Sequence, residues 1–77
     1  MNFSKALEAL IEKKKVTRKG WNGKGMWLEL YENFANTPIK DDKIMQPFIC
    51  MKTAQNTYVP WVASQTDMLA GDWEIVE

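Results

Sequence analysis

Two indoles, three cations and three glycines fall within the ten residues Arg18-Lys19-Gly20-Trp21-Asn22-Gly23-Lys24-Gly25-Met26-Trp27. Glycine lets a backbone approach a ligand closely and expose its amides. Cations attract phosphate, and an indole face offers a platform on which a base can stack. The combination points to a compact, nucleotide-shaped anion held at a loop. The same residues also read as a glycine-rich turn beside a core tryptophan, and the segment by itself does not separate the two.

Conventional catalysis is poorly supplied. The chain has no histidine, which excludes His-based triads and His metal sites. Cys50, the single cysteine, lies in an apolar stretch and reads as a small core residue. The glycines at 20, 23 and 25 do not have the spacing of a phosphate loop or a dinucleotide fingerprint. Asp67 and Asp72 could serve acid–base roles, but a helix cap and a turn explain them more simply. The residues argue for binding rather than turnover, with no catalytic residue, metal or cofactor expected.

Charge sharpens this expectation. Residues 1–24 carry seven Lys/Arg against two Glu, a net +5, and residues 25–77 carry three Lys against eight Asp/Glu, a net −5. A nucleic-acid-binding domain of this size is more often basic overall, with a continuous stripe. A local basic patch on an acidic body suits a small anion better than a polymer. Lys13-Lys14-Lys15 also reads as a solvated helix end favoured by the macrodipole. No apolar run approaches the roughly 20 residues that span a bilayer, and no signal-peptide layout opens the chain. With a lone cysteine, a cytoplasmic location is expected. At 77 residues a single domain is expected over 1–77, small enough that homo-oligomerisation is the anticipated route to stability.

The elements that must position these groups read as α+β: an N-terminal helix packed on a mainly antiparallel sheet, plus one short C-terminal helix. Phe3, Ala6, Leu7, Leu10 and Ile11 form one helical stripe, with Asn2 as its cap. Val16–Arg18 and Met26–Tyr31 are strand candidates, the second placing Trp27 and Glu29 on one face and Met26, Leu28 and Leu30 on the other. Residues 33–46, rich in Asn, Asp, Lys and Pro, form the expected long loop. Phe48–Thr53 and Tyr58–Val62 predict a hairpin, with Asn56 accepting positive φ and Pro60 marking an edge or an end. Ser64-Gln65-Thr66-Asp67 has capping-box spacing, Gly71 is expected to close that helix in the left-handed conformation, and Trp73–Val76 is the last strand.

Taken in order, Phe3-Ser4-Lys5-Ala6-Leu7, the tryptophan loop from Arg18 to Leu28, Met51-Lys52-Thr53-Ala54 and the stretch Val59-Pro60-Trp61 through Ser64-Gln65-Thr66-Asp67 to Asp72-Trp73-Glu74 resemble the Thoeris anti-defence 2 family of phages and prophages. The resemblance covers nearly the whole chain outside 32–46. It implies a sponge that binds the cyclic ADP-ribose derivative made by bacterial TIR-domain enzymes and holds it uncleaved, so the downstream effector stays inactive. It further implies that some relatives hold cyclic dinucleotides or trinucleotides, and that the family forms homotetramers, dimers of dimers with ligand sites between protomers.

Carried onto this sequence, the motifs make Trp21 and Trp61 the stacking candidates. Asn22 and the Gly23–Gly25 amides would meet phosphate or ribose, with Arg18 and Lys24 as cationic partners. Ser64, Gln65 and Asp67 supply polar groups beside Trp61. Trp27 and Trp73 are expected in the core or at an interface. Two other functions fit the same residues: an oligomerisation module without a ligand, and an enzyme that cleaves the signal.

Overall fold

The helical stripe at the N-terminus becomes α1, Phe3–Ile11, and the Asn2 side chain accepts from the Lys5 N–H at 3.0 Å, capping the first turn. A computed structural model describes residues 1–21, 25–32, 38 and 40–77 of the chain. The helix ends in a Schellman arrangement: the Lys13 N–H donates to the Leu10 carbonyl and the Lys14 N–H to that of Ala9, with Lys13 left-handed at φ 71°. This hydrogen-bonded reversal swings the chain straight into β1, Lys15–Arg18. Lys13 pairs with Glu32 and Lys15 lies inside β1, so the triple-lysine run is divided among different tasks.

Four further strands, β2 (Trp27–Tyr31), β3 (Phe48–Lys52), β4 (Tyr58–Pro60) and β5 (Trp73–Val76), join β1 in one sheet of order β4-β3-β2-β1-β5, antiparallel throughout. The fold is thus the expected α+β arrangement, with α2, Gln65–Leu69, as the short second helix. Asn56 takes φ 64° in the hairpin turn, donating its N–H to Thr53 O, and β4 stops at Pro60 on the sheet edge. Strand β4 is shorter than the expected Tyr58–Val62, although one more ladder bond follows it, from the Trp61 N–H to Ile49 O at 3.0 Å. Pro60 is tolerated because an edge strand turns that position's missing N–H away from β3. Within the expected loop, Asp41 and Asp42 both have positive φ and form a tight turn closed by a Lys40–Lys43 bridge. The rest of that expectation, residues 33–37 and 39, lies outside the described residues.

Gly71 requires a correction. The cap of α2 is Ala70, in extended conformation at φ −72° and ψ 148°, and Gly71 has no positive φ. Five residues of helix leave room for one turn only, and the chain exits directly into β5 without a left-handed residue. The capping box itself is present: Ser64 Oγ accepts from the Asp67 N–H at 3.0 Å, and Asp67 Oδ2 accepts from the Ser64 N–H at 3.1 Å.

Residues directly opposite in an antiparallel ladder share a face. The register therefore puts Val16, Leu28, Met51 and Trp73 on one face and Thr17, Trp27, Glu29, Cys50, Lys52 and Tyr58 on the other. Helix α1 covers the first, enclosing a core of Ala6, Ala9, Leu10, Val16, Leu28 and Trp73. Among the described residues no helix packs on the second.

Trp73 is the largest fully buried side chain, and its indole N–H donates to Asp67 O at 3.0 Å. Trp73→Ala is expected to cost about 3–5 kcal/mol. Leu69→Ala, at an 83% exposed position, should change stability by no more than about 0.5 kcal/mol. Urea denaturation of the two variants checks the contrast.

Candidate functional site

The tryptophan loop is tied to the C-terminal segment by one guanidinium. Arg18, at the end of β1, donates through Nε to Asp72 Oδ1 and through an Nη to Asp67 Oδ1, both at 2.9 Å. Asp72 Oδ2 also accepts the Gly20 N–H at 2.9 Å, which fixes the first residue of the turn. A Cβ on Gly20 would stand 3.0 Å from that same oxygen, so the position favours glycine through close approach. The Arg18 guanidinium and the Gly20 N–H hold the Asp72 carboxyl below its usual range. At Asp67, burial works in the opposite direction, but the Ser64 hydrogen bonds and Arg18 prevail and its carboxyl also sits low.

Above this fork the aromatic rings meet. Trp21 lies edge-on to Trp73 with centroids 5.4 Å apart, Trp61 does the same at 6.1 Å, and Phe3 bridges Trp61 and Trp73 at 6.2 and 5.4 Å. Trp21 and Trp61 are half-buried, each with part of its indole against the core and part at the surface.

They line different concavities. One, of about 410 Å3, is bounded by Thr17, Lys19, Trp21, Gly25, Trp27 and Glu74 among others. The other, of about 350 Å3, runs along Gln46, Phe48, Pro60 and Trp61. Both fall within the roughly 300–1,000 Å3 of small-molecule sites. Gly25, at φ 74°, makes the left-handed bend on which the first depends.

Of the residues singled out in the sequence, Arg18, Ser64 and Asp67 come together in one hydrogen-bonded group. Trp21 and Trp61 come together on Trp73. Gln65 is exposed at the start of α2. Asn22, Gly23 and Lys24 lie outside the described residues, between Trp21 and Gly25.

Sequence reasoning missed the charge around Trp27. Lys15 Nζ and Lys52 Nζ each lie 4.6 Å from its ring centroid, and Lys52 Nζ also donates to Gly25 O at 2.8 Å. The Trp27 Nε1 donates to Glu29 Oε2 at 2.8 Å, and Tyr58 donates to the same oxygen at 2.7 Å. Alternation along β2 had already paired Trp27 with Glu29. The missing signal was the cross-strand register Trp27↔Lys52, which only the folded hairpin supplies.

Among the described residues no group of three Cys, Asp or Glu could hold a metal, and no helix is long and apolar enough to cross a membrane.

The model of the Thoeris anti-defense 2-like domain matches residues 1–76. A protein of Bacillus phage SP01 called Thoeris anti-defense 2 is 40% identical over 84 residues, covering 99% of this chain and 94% of that protein.

The fork sets a pH dependence. Asp67 and Asp72 titrate lower in the folded chain than in the unfolded one, so their stabilisation is complete above the ordinary carboxylate range and is lost progressively as pH falls from there through their lower folded-state values. Stability is expected to fall below about pH 4. Arg18→Met should lower the thermal midpoint by several degrees at neutral pH and flatten that acid limb, as thermal melts from pH 7 to pH 2.5 will read.

Proposed function

This chain belongs to the Thoeris anti-defense 2-like family, and we propose that it is a non-catalytic sponge for the cyclic ADP-ribose-type signal of TIR-domain immunity. Family membership carries the coarser statement, a phage anti-defence role directed at Thoeris. The finer one is supported chiefly by the concavity over the tryptophan loop. It presents two indoles, Lys19 and a glycine-shaped backbone in a volume suited to one nucleotide-sized ligand.

In this reading the loop Trp21–Gly25, with Asn22, Gly23 and Lys24, meets phosphate or ribose of the ligand through backbone amides and cationic charge. Trp21 and Trp27 offer ring faces to the rest of the ligand, while Trp61 and Gln65 are kept as candidate contacts outside that concavity. Arg18, Ser64 and Asp67 act by positioning: the fork and the capping box tie the end of β1 and Gly20 to the C-terminal segment. Groups held in advance, as Arg18 and Asp67 are, lose little freedom when ligand binds, and this is how a small site reaches high affinity.

Sequestration without cleavage is supported by what the candidate catalytic groups are doing. Asp67 and Asp72 are each engaged by Arg18, and the Cys50 thiol is buried and pushed up by desolvation and by Glu29. A stoichiometric inhibitor must bind tightly, since a nanomolar dissociation constant corresponds to about 12 kcal/mol. One protomer leaves the concavity open to solvent, and we infer that a second copy closes it in a homo-oligomer, a tetramer built as a dimer of dimers. The site of action is the host cytoplasm, where the signal is made.

Calorimetric titration with the TIR-made cyclic ADP-ribose isomer is expected to give near-stoichiometric, high-affinity binding. Heating the complex should release the nucleotide with its mass and chromatographic retention unchanged. Recovery of a cleaved product would make the protein an enzyme, and absence of binding would remove the sponge reading. A panel of cyclic dinucleotides and trinucleotides in the same format determines whether a second ligand class is held.

A further inference from the structure

The sheet face turned away from α1 carries a concavity of about 420 Å3 lined by Tyr31, Phe48, Tyr58, Pro60, Cys50 and Glu29 among others. Its walls are aromatic, with Tyr31 and Phe48 in contact at 5.0 Å between centroids. Its polar group is the Glu29 carboxylate. Trp27 Nε1 and Tyr58 OH both donate to Oε2, and among the described residues Oε1 accepts from none. Two donors on one oxygen fix the carboxylate plane. The other oxygen remains a charged acceptor open to the concavity among its apolar walls, where an N–H donor would form a charge-assisted hydrogen bond.

The surroundings restrict what that partner is. Trp27 lies two residues along the strand, about 7 Å away, with the ammonium groups of Lys15 and Lys52 beside its ring. A small cation would be drawn to Glu29 but repelled by these two charges. A ligand with a flat ring, an N–H donor on the ring edge and an anionic group a few ångströms further on satisfies all three features at once. An amino-purine nucleotide has this layout.

We propose that Glu29 reads the base: the purine lies in the concavity of Tyr31, Phe48 and Tyr58, its exocyclic amino group donates to Glu29 Oε1, and the phosphates reach Lys15 and Lys52 beside Trp27. The inference rests on the sponge reading and adds to it the residue that sets base identity. Trp27 joins the two regions, since it also lines the concavity over the tryptophan loop.

The test uses Glu29→Gln. With Trp27 and Tyr58 still donating, the new amide turns its oxygen toward them and offers NH2 to the ligand, so an acceptor becomes a donor. The probes are the TIR-made cyclic ADP-ribose isomer and its inosine counterpart, which has an oxo group in place of the amino group, both titrated into the full-length protein. Wild type is expected to favour the amino form by about tenfold or more. Glu29→Gln should abolish or reverse that preference. Tyr58→Phe, which removes one of the two holding donors, should narrow it.

Equal affinity of the wild type for both forms, or a preference unchanged in Glu29→Gln, overturns the role of Glu29 and leaves sequestration standing. Binding of neither form by the wild type removes both readings. If Glu29→Gln alters the oligomeric state in light scattering while the base preference persists, the face is a seat for a second copy and the inference is wrong.

Discussion

The buried indole of Trp73 is the contact on which the rest of the molecule depends. Its ring is 1% exposed and carries Phe3, Trp21 and Trp61 on its edges and faces. Its N–H is satisfied by Asp67 O, which ties α2 to the core. Its strand pairs with β1 at Arg18, placing that guanidinium where Asp67 and Asp72 can share it. A domain of this size has few fully buried side chains to spend, so one ring doing several jobs is economical. The consequence is that the candidate binding surface and the core are not separable parts.

A helix and a five-stranded sheet make two layers, and two layers bury one sheet face. Here the buried face takes Val16, Leu28, Met51 and Trp73, while Trp27, Tyr31, Phe48 and Tyr58 are left on the other. An exposed aromatic surface of this kind is a candidate place for something to bind. The polar groups set among the rings give it a pattern: one carboxylate held by two donors, and two ammonium groups around one indole. Plain hydrophobic association does not require such a pattern, whereas recognition of a small polar ligand does.

What the sequence disclosed was local. The stripe of α1, the Asn2 cap, the Ser64–Asp67 capping box and the positive φ of Asn56 all depend on contacts within about four residues, and all are present. The alternation in β2 put Trp27 and Glu29 together correctly. Long-range closure was not legible: nothing in Trp73–Val76 announces β1 as its partner, and nothing around Arg18 announces two aspartates about fifty residues away. Arg18 and Asp67 looked like ligand groups because a cation near glycines and a carboxylate near tryptophan are common in binding sites. In the fold they face each other. Gly71 looked like a helix terminator from its type and position, but a one-turn helix running into a strand has no need of one.

The division of charge along the chain also takes on a different meaning in three dimensions. The basic first third and the acidic remainder meet within a single protomer: Lys13 reaches Glu32, and Arg18 reaches Asp67 and Asp72. Part of the apparent basic patch is therefore consumed in holding the fold. Among the described residues, the cations near the tryptophan loop outside those pairs are Lys19 at its start and Lys15 and Lys52 around Trp27. A few charges confined to one end of the sheet can neutralise a diphosphate but give no continuous track for a polyanion. Placed beside indole faces and a fixed carboxylate, they favour a ligand that is compact, anionic and aromatic all at once. Under the proposed sponge function, holding such a ligand unaltered needs groups that bind it and none that react with it.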